Sequence, residues 1–221
     1  MWGFAAVPGI AKEPGMIAAT RLQTMGSAPA RSLLTFAAGI LIAAGLFLAA
    51  QGGWIYAKAA LAQVLLERAF ADSVISGAPV KPWSWADTWP VARIEVPRLG
   101  VSAIALKGAS GQALAFGPGH LDNTPQAGEE GTAVYAAHRD THFTFLKDIH
   151  VNDRIRITRR DGRTFIFRVS RMAVARWDEA EIDPDARGVH LVLATCFPFD
   201  AVTSGPLRYL VYADLEETMA K

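Results

Sequence analysis

The sequence predicts a mainly β domain, a small closed barrel or sandwich, carried behind a helix that spans a membrane. Two observations carry this. From Ser32 to Ala57 no charged side chain occurs, and the run is apolar for longer than the ~20 residues that a bilayer core requires. From Val91 onward the texture changes to short stretches rich in Val, Ile, Phe and Thr, separated by Gly, Pro, Asp and Asn, which is the pattern of strands joined by turns. The 221 residues, 51% of them hydrophobic, suffice for one domain with a real core and an additional element.

Taken in order, residues 1–31 are rich in Gly, Ala, Pro and Ser and read as a tail without a core of its own. Residues 32–57 form the anchor. The Ala-x-Ala-like "YAKA" that follows also suits a cleaved signal peptide, but the apolar run exceeds the roughly 7–15 residues of such a segment, which favours a retained single-pass anchor. Trp54 and Tyr56 stand at its far end, where amphipathic aromatics suit the headgroup zone. Lys12, Arg21 and Arg31 before the span slightly outweigh Lys58 and Arg68 after it, so the positive-inside rule leans toward a cytoplasmic amino terminus.

Residues 58–90 begin with "AKAALAQVLLERAF", apolar at helical spacing, and predict a helix leaving the membrane as a stalk or packing helix. Then "SGAPVKPWSWADTWP", with three prolines and three tryptophans, marks a linker into the globular part. Within residues 91–221 the strands are "VARIEVP", "VSAIALKG", "TAVYAAH", "RIRITRR", "TFIFRVSRMAVA", "VHLVLATC" and "LRYLVYADL". Short helices fit "SGQALAFG" and "FTFLKDI", and Asp161-Gly162 suits a tight two-residue hairpin turn.

Lys and Arg number 22 against 21 Asp and Glu, a net charge of +1 that gives no electrostatic reason to expect a nucleic-acid partner. The alternating basic residues of "RIRITRR" read as the solvated face of a strand. A single cysteine, Cys196, rules out an intramolecular disulfide framework. No G-x-S-x-G elbow or phosphate-binding loop is present.

Three residues at strand ends have the chemistry of thiol catalysis. Cys196 closes the apolar run "VHLVLAT", and Pro198 prevents its continuation as a central strand, so the thiol belongs at a rim. His138 follows the apolar strand "TAVYAA"; an imidazole near a thiol stabilises thiolate and can later protonate a leaving amine. Arg208 opens the strand after Cys196, and the short connection allows the two strands to be antiparallel neighbours, which would bring a guanidinium beside the thiol for a developing oxyanion. Each also has a bland reading as a packed thiol, a structural histidine or a surface arginine. His138 and His142 have the i, i+4 spacing of a zinc helix, but Arg139 stands where such a motif needs glutamate, and the pair follows a strand.

Together, "TAVYAAHRDTHF", "LVLATCFPF" and "LRYLVYA", in that order at strand ends behind an anchor, resemble the sortase family of membrane-anchored cysteine transpeptidases over roughly Val91 to Leu215. The resemblance implies an eight-stranded sortase-type barrel, with Cys196 as nucleophile, His138 as general acid and base, and Arg208 stabilising the oxyanion or positioning peptide. It further implies that Thr195 and Ala194 line the substrate pocket, that His120 in "FGPGHLDNTP" is an accessory residue, and that "RWDEAEIDPDARG" helps to bind the sorting signal. The acyl transfer this implies requires no cofactor, and no acidic loop is strong enough to predict calcium. Ala137 replaces a glycine often found before the histidine, and "VLATC" replaces the family's frequent Thr-Leu-x-Thr-Cys, which bears on substrate preference. "HRDTHF" with "TCFPFD" is most similar to sortases of Gram-negative bacteria. That implies an inner-membrane protein with a periplasmic catalytic domain, acting on a secreted partner with a carboxy-terminal L-P-x-T-G-like signal and on an unknown amine acceptor. A cysteine hydrolase on the same fold and a non-catalytic peptide-binding barrel are the alternatives.

Overall fold

The computed structural model describes residues 28–203 and 205–219; the tail expected over 1–31 lies outside the described residues up to position 27. The helix α1 (Ala28–Ser76) runs unbroken through the expected anchor and stalk. The chain forms two units, one ending at Gln51 and one comprising Gly52–Lys221. In the first, Leu33, Phe36, Leu41 and Phe47 are exposed, and α1 is long and apolar enough to cross a membrane. In the second, Ala62, Leu66, Ala69 and Phe70 recur at helical spacing and are buried; Leu66 and Phe70 pack with Ile104, Leu106 and Ala113. Gly77, with φ of +70°, ends the helix, and its N–H donates to Ser73 O at 2.9 Å.

Eight strands follow: β1 (Pro90–Val96), β2 (Val101–Lys107), β3 (Gly119–His120), β4 (Gly131–Ala136), β5 (Arg154–Arg159), β6 (Thr164–Arg176), β7 (Val189–Cys196) and β8 (Leu207–Met219). They close in the order β1-β2-β3-β4-β7-β8-β6-β5, so the architecture is the barrel and not the sandwich. The pairs β2/β3 and β4/β7 are parallel and the other six are antiparallel. All seven strands expected from sequence are present. The unforeseen β3 has only two residues, too few to generate an alternating pattern. The short helix α2 (Gly111–Leu114) and a 3-10 turn at Thr144–Asp148 occupy the two predicted helical segments.

The β5–β6 hairpin forms at Asp161-Gly162, but not as a two-residue turn. Gly162 N–H donates to Arg159 O and Arg159 N–H to Arg163 O, both at 2.9 Å, and only Gly162 has positive φ. A tight turn of the expected kind needs positive φ at both central residues; the observed one is the three-residue form with glycine in the left-handed position.

Alternation divides the strands between two faces. Ala133, Tyr135, Leu191, Leu193, Val211 and Ala213 fill the barrel with Ile155, Ile157 and Phe167. Val134, Val192 and Leu210, one residue out of phase, form a second cluster on the outer face, with Ala194, Ala175 and Tyr212 packed against it. Ala180 and Ile182, from the segment joining β6 to β7, cover that cluster. The segment lands at the start of β4, where Thr132 N–H donates to Pro184 O at 3.0 Å. There Gly131 has φ of +106°, and a Cβ on it would stand 2.1 Å from Pro184 O, so no other residue fits.

Candidate active site

β4, β7 and β8 lie side by side, and their register brings the three catalytic candidates to one rim. Cys196 pairs directly with Arg208 across β7 and β8. β4 ends at Ala136, which pairs with Ala194; just beyond it Ala137 N–H donates to Ala194 O at 3.2 Å and the Thr195 hydroxyl donates to Ala137 O, which brings His138, next in the chain, to the Cys196 end of β7. Neighbouring strands are about 4.8 Å apart, so the backbones of Cys196 and Arg208 stand about 5 Å apart at the rim. Cys196 shares the phase of Val192 and Ala194 and Arg208 that of Leu210, so both belong to the outer face. The thiol and Arg208 are half-buried, and His138 is exposed. Ala194 and Ala136, both small and partly buried, form the floor immediately below them.

Thr195 faces the other way. It is 2% exposed, and its Oγ1 donates to Ala137 O at 2.8 Å, tying the residue before the cysteine to the residue before the histidine. Its hydroxyl therefore braces the site from inside the barrel instead of lining the groove. His120 is not brought to the thiol either. It pairs with Tyr135 across β3 and β4, its ring lies 5.1 Å from the Tyr135 ring, and Tyr135 belongs to the interior core, so His120 and Cys196 occupy opposite faces of the sheet. Its Nε2 hydrogen-bonds Pro125 O at 2.9 Å, and burial holds the imidazole below its ordinary pKa. His142, the second residue of the zinc-like pair, is likewise held down by burial and hydrogen-bonds the Ala115 carbonyl.

Arg139 is the residue that sequence reasoning missed. It follows His138 directly and is only 9% exposed, and its Nη2 donates to Ala201 O at 2.5 Å and Thr203 O at 2.9 Å. Arg208 holds the same connection from the other end, through Nη1 to Gly205 O and Leu207 O, both at 2.9 Å. An arginine next to a strand-end histidine was visible in the sequence; its partners, 62 and 64 residues away, are backbone carbonyls that no side-chain pattern displays. Phe197, Phe199 and Tyr209 support the first part of this connection, with Phe199 and Tyr209 edge-on at 5.3 Å and Phe197 stacked on Tyr209 at 6.1 Å. A cavity of about 550 Å³ lined by Arg98, Arg154, Arg156 and Arg168 contains none of these residues; its arginines are paired with Asp153, Glu216 and Glu95.

The family model for the sortase domain matches residues 94–216, from β1 into β8. The chain belongs to the sortase family. Sortase D of Bacillus subtilis strain 168 is 28% identical over 189 residues, covering 78% of this chain and 93% of that protein. Among solved structures, sortase A from Corynebacterium diphtheriae matches with a TM-score of 0.55 and 28% identity, over 60% of this chain and 63% of that one. Sortase E from Streptomyces avermitilis matches with a TM-score of 0.51 and 28% identity, over 59% and 90% respectively. Sortases are cysteine transpeptidases acting on sorting signals, and the closed eight-stranded barrel is common to them and to this chain.

Proposed function

We propose that this sortase cleaves a carboxy-terminal, L-P-x-T-G-like sorting signal of a secreted protein and transfers the acyl part to an amine. The observation that carries this reading is the direct pairing of Cys196 with Arg208 across β7 and β8, with His138 following the end of β4, the strand on the other side of β7. Cys196 thiolate attacks the Thr or Ser carbonyl, and the carbonyl oxygen becomes an oxyanion beside the Arg208 guanidinium. The tetrahedral species collapses to a thioester as the C–N bond breaks, and His138 gives its proton to the departing glycine amine. An incoming amine then attacks the thioester, loses its proton to His138, and leaves as a new amide, with the thiolate restored. The chemistry is balanced without a cofactor.

The groove floor of Ala136 and Ala194, and the crossing segment with Ala180 and Ile182, supply the apolar surface on which such a peptide lies. The catalytic unit works in the periplasm, tethered to the inner membrane by α1, as in the sortases of Gram-negative bacteria that "HRDTHF" and "TCFPFD" resemble.

The test is intact-mass spectrometry of the full chain in detergent with panels of L-P-x-T-G-like and V-P-x-S-G-like peptides, with and without a glycine-based amine. A peptide-sized adduct, absent from Cys196→Ala and converted to an amide by the amine, is the expected result. Release only as the free acid would identify a hydrolase. Folded protein that forms no adduct with any peptide, and works equally well as Cys196→Ala, would leave a binding barrel.

A further inference from the structure

The connection between the nucleophile and Arg208 is held by alternate backbone carbonyls. Those of Ala201 and Thr203 go to Arg139, and those of Gly205 and Leu207 go to Arg208. Two guanidinium groups therefore grip one short run of backbone from its two ends. One belongs to the residue after His138 and the other to the residue facing Cys196. Val202, between the two carbonyls that Arg139 holds, is fully exposed, so apolar burial does not fix this segment.

Stability alone does not account for a guanidinium at position 139. Among the described residues no carboxylate pairs with it, and its Nη1 is buried without a hydrogen-bond partner. A buried cation with no carboxylate partner and an unsatisfied donor is costly, and that cost works against the two carbonyl hydrogen bonds it makes. What an apolar chain lacks is a donor: the two N–H bonds of Nη2, fixed in the guanidinium plane, hold the Ala201 and Thr203 carbonyls at once.

We propose that Arg139 is a positioning residue for Arg208. By fixing the carbonyls of Ala201 and Thr203 it limits where the chain re-enters at Gly205 and Leu207, whose carbonyls hold Nη1 of Arg208 and so orient the guanidinium toward the oxyanion. This rests on the reading of Arg208 as the oxyanion-stabilising group. It couples the histidine turn, the loop after the cysteine and the arginine into one unit, although Arg139 touches no reacting atom.

A double-mutant cycle tests it, in the full chain in detergent, with the peptide that forms thioester fastest in the panels above and hydroxylamine as the amine. Arg139→Gln should lower kcat by about 10- to 100-fold with little change in KM, as expected when an oxyanion donor is displaced and ground-state binding is retained. Arg139→Lys, which keeps the charge and a donor for the carbonyls without the planar guanidinium, should recover part of that loss. In an Arg208→Lys background, Arg139→Gln should cost no more than about 2- to 3-fold further, because the group it positions is already gone. Multiplying effects of Arg139→Gln and Arg208→Lys, or a kcat for Arg139→Gln within twofold of the parent, would overturn the proposal and leave the nucleophile assignment intact. Should Arg139→Gln fail to fold, the same cycle with Arg139→Lys decides the matter. A parent enzyme that forms no thioester with any peptide would defeat the functional reading and this inference together.

Discussion

Replacing Thr195 by valine removes one hydroxyl from the interior side of the active-site rim and leaves the shape of the side chain almost unchanged. In the native fold that hydroxyl donates at 2.8 Å to the Ala137 carbonyl, and both residues are buried. Valine leaves the carbonyl without its partner, which costs about 1–3 kcal/mol for a buried acceptor. At about 2–4 °C per kcal/mol for a domain of this size, Tm should fall by roughly 2–12 °C. The effect on turnover should be larger than the effect on stability. The bond joins the residues immediately before His138 and Cys196, and a displacement of about 1 Å between reacting groups costs on the order of 100-fold. Thermal melting followed by circular dichroism gives the first quantity, and thioester formation followed by intact mass gives the second. Thr195→Ser, which keeps the donor and loses only a methyl group, should retain most of the turnover. A Thr195→Val protein with parental Tm and turnover, or a serine variant as impaired as valine, would refute the reasoning.

Arg208→Lys keeps the positive charge but not the planar guanidinium, whose Nη1 is anchored on Gly205 O and Leu207 O while its other nitrogens stay available to an oxyanion, so kcat should drop by about 100-fold or more while the protein stays folded; steady-state kinetics with the panel peptide measures it. Phe70→Ala, on the part of α1 that packs against Ile104 and Leu106, should cost about 3–5 kcal/mol, and a fragment beginning at Pro79 should melt well below the full chain in the same assay. Burial holds His120 and His142 below the ordinary value of 6.5, so the fold binds fewer protons than the unfolded chain in that range, and stability should fall as pH drops below 6.5. His190, raised by the Arg187 carbonyl and Asp214, contributes in the opposite sense, fully below 6.5 and fading as pH rises through its folded value; melting curves between pH 5 and 8 should show His120→Gln flattening only the acid side. Trp177, 64% exposed where the chain leaves β6 beyond the Ala175–Arg208 pair, should contact the peptide: Trp177→Ala should raise KM several-fold, with alkylation of Cys196 by iodoacetamide unchanged.

The elements and the three candidate catalytic side chains were legible in the sequence because each leaves a local signature. Long strands alternate, a membrane helix excludes charge over more than ~20 residues, and a histidine, a cysteine and an arginine at strand ends interrupt apolar runs. Closure of the barrel was not legible from alternation, since the two-residue β3 that joins β2 to β4 has no period to detect. Nor was the face to which a residue belongs at the end of a strand. Thr195 and His120 resembled members of the substrate pocket, yet the first points into the barrel and the second lies across the sheet, because a single residue of phase separates the groove from the core. Arg139 shows the same limit from the other direction. Its residue type and position were in plain view beside His138, but its partners are carbonyls, which every residue possesses, and only the folded chain selects Ala201 and Thr203 among them. The sequence by itself determined the family to which this protein belongs and which side chains are candidates for its chemistry. The tertiary structure alone decided which side chains face that chemistry and which backbone holds it in place, because facing and bracing depend on register between strands far apart in the chain.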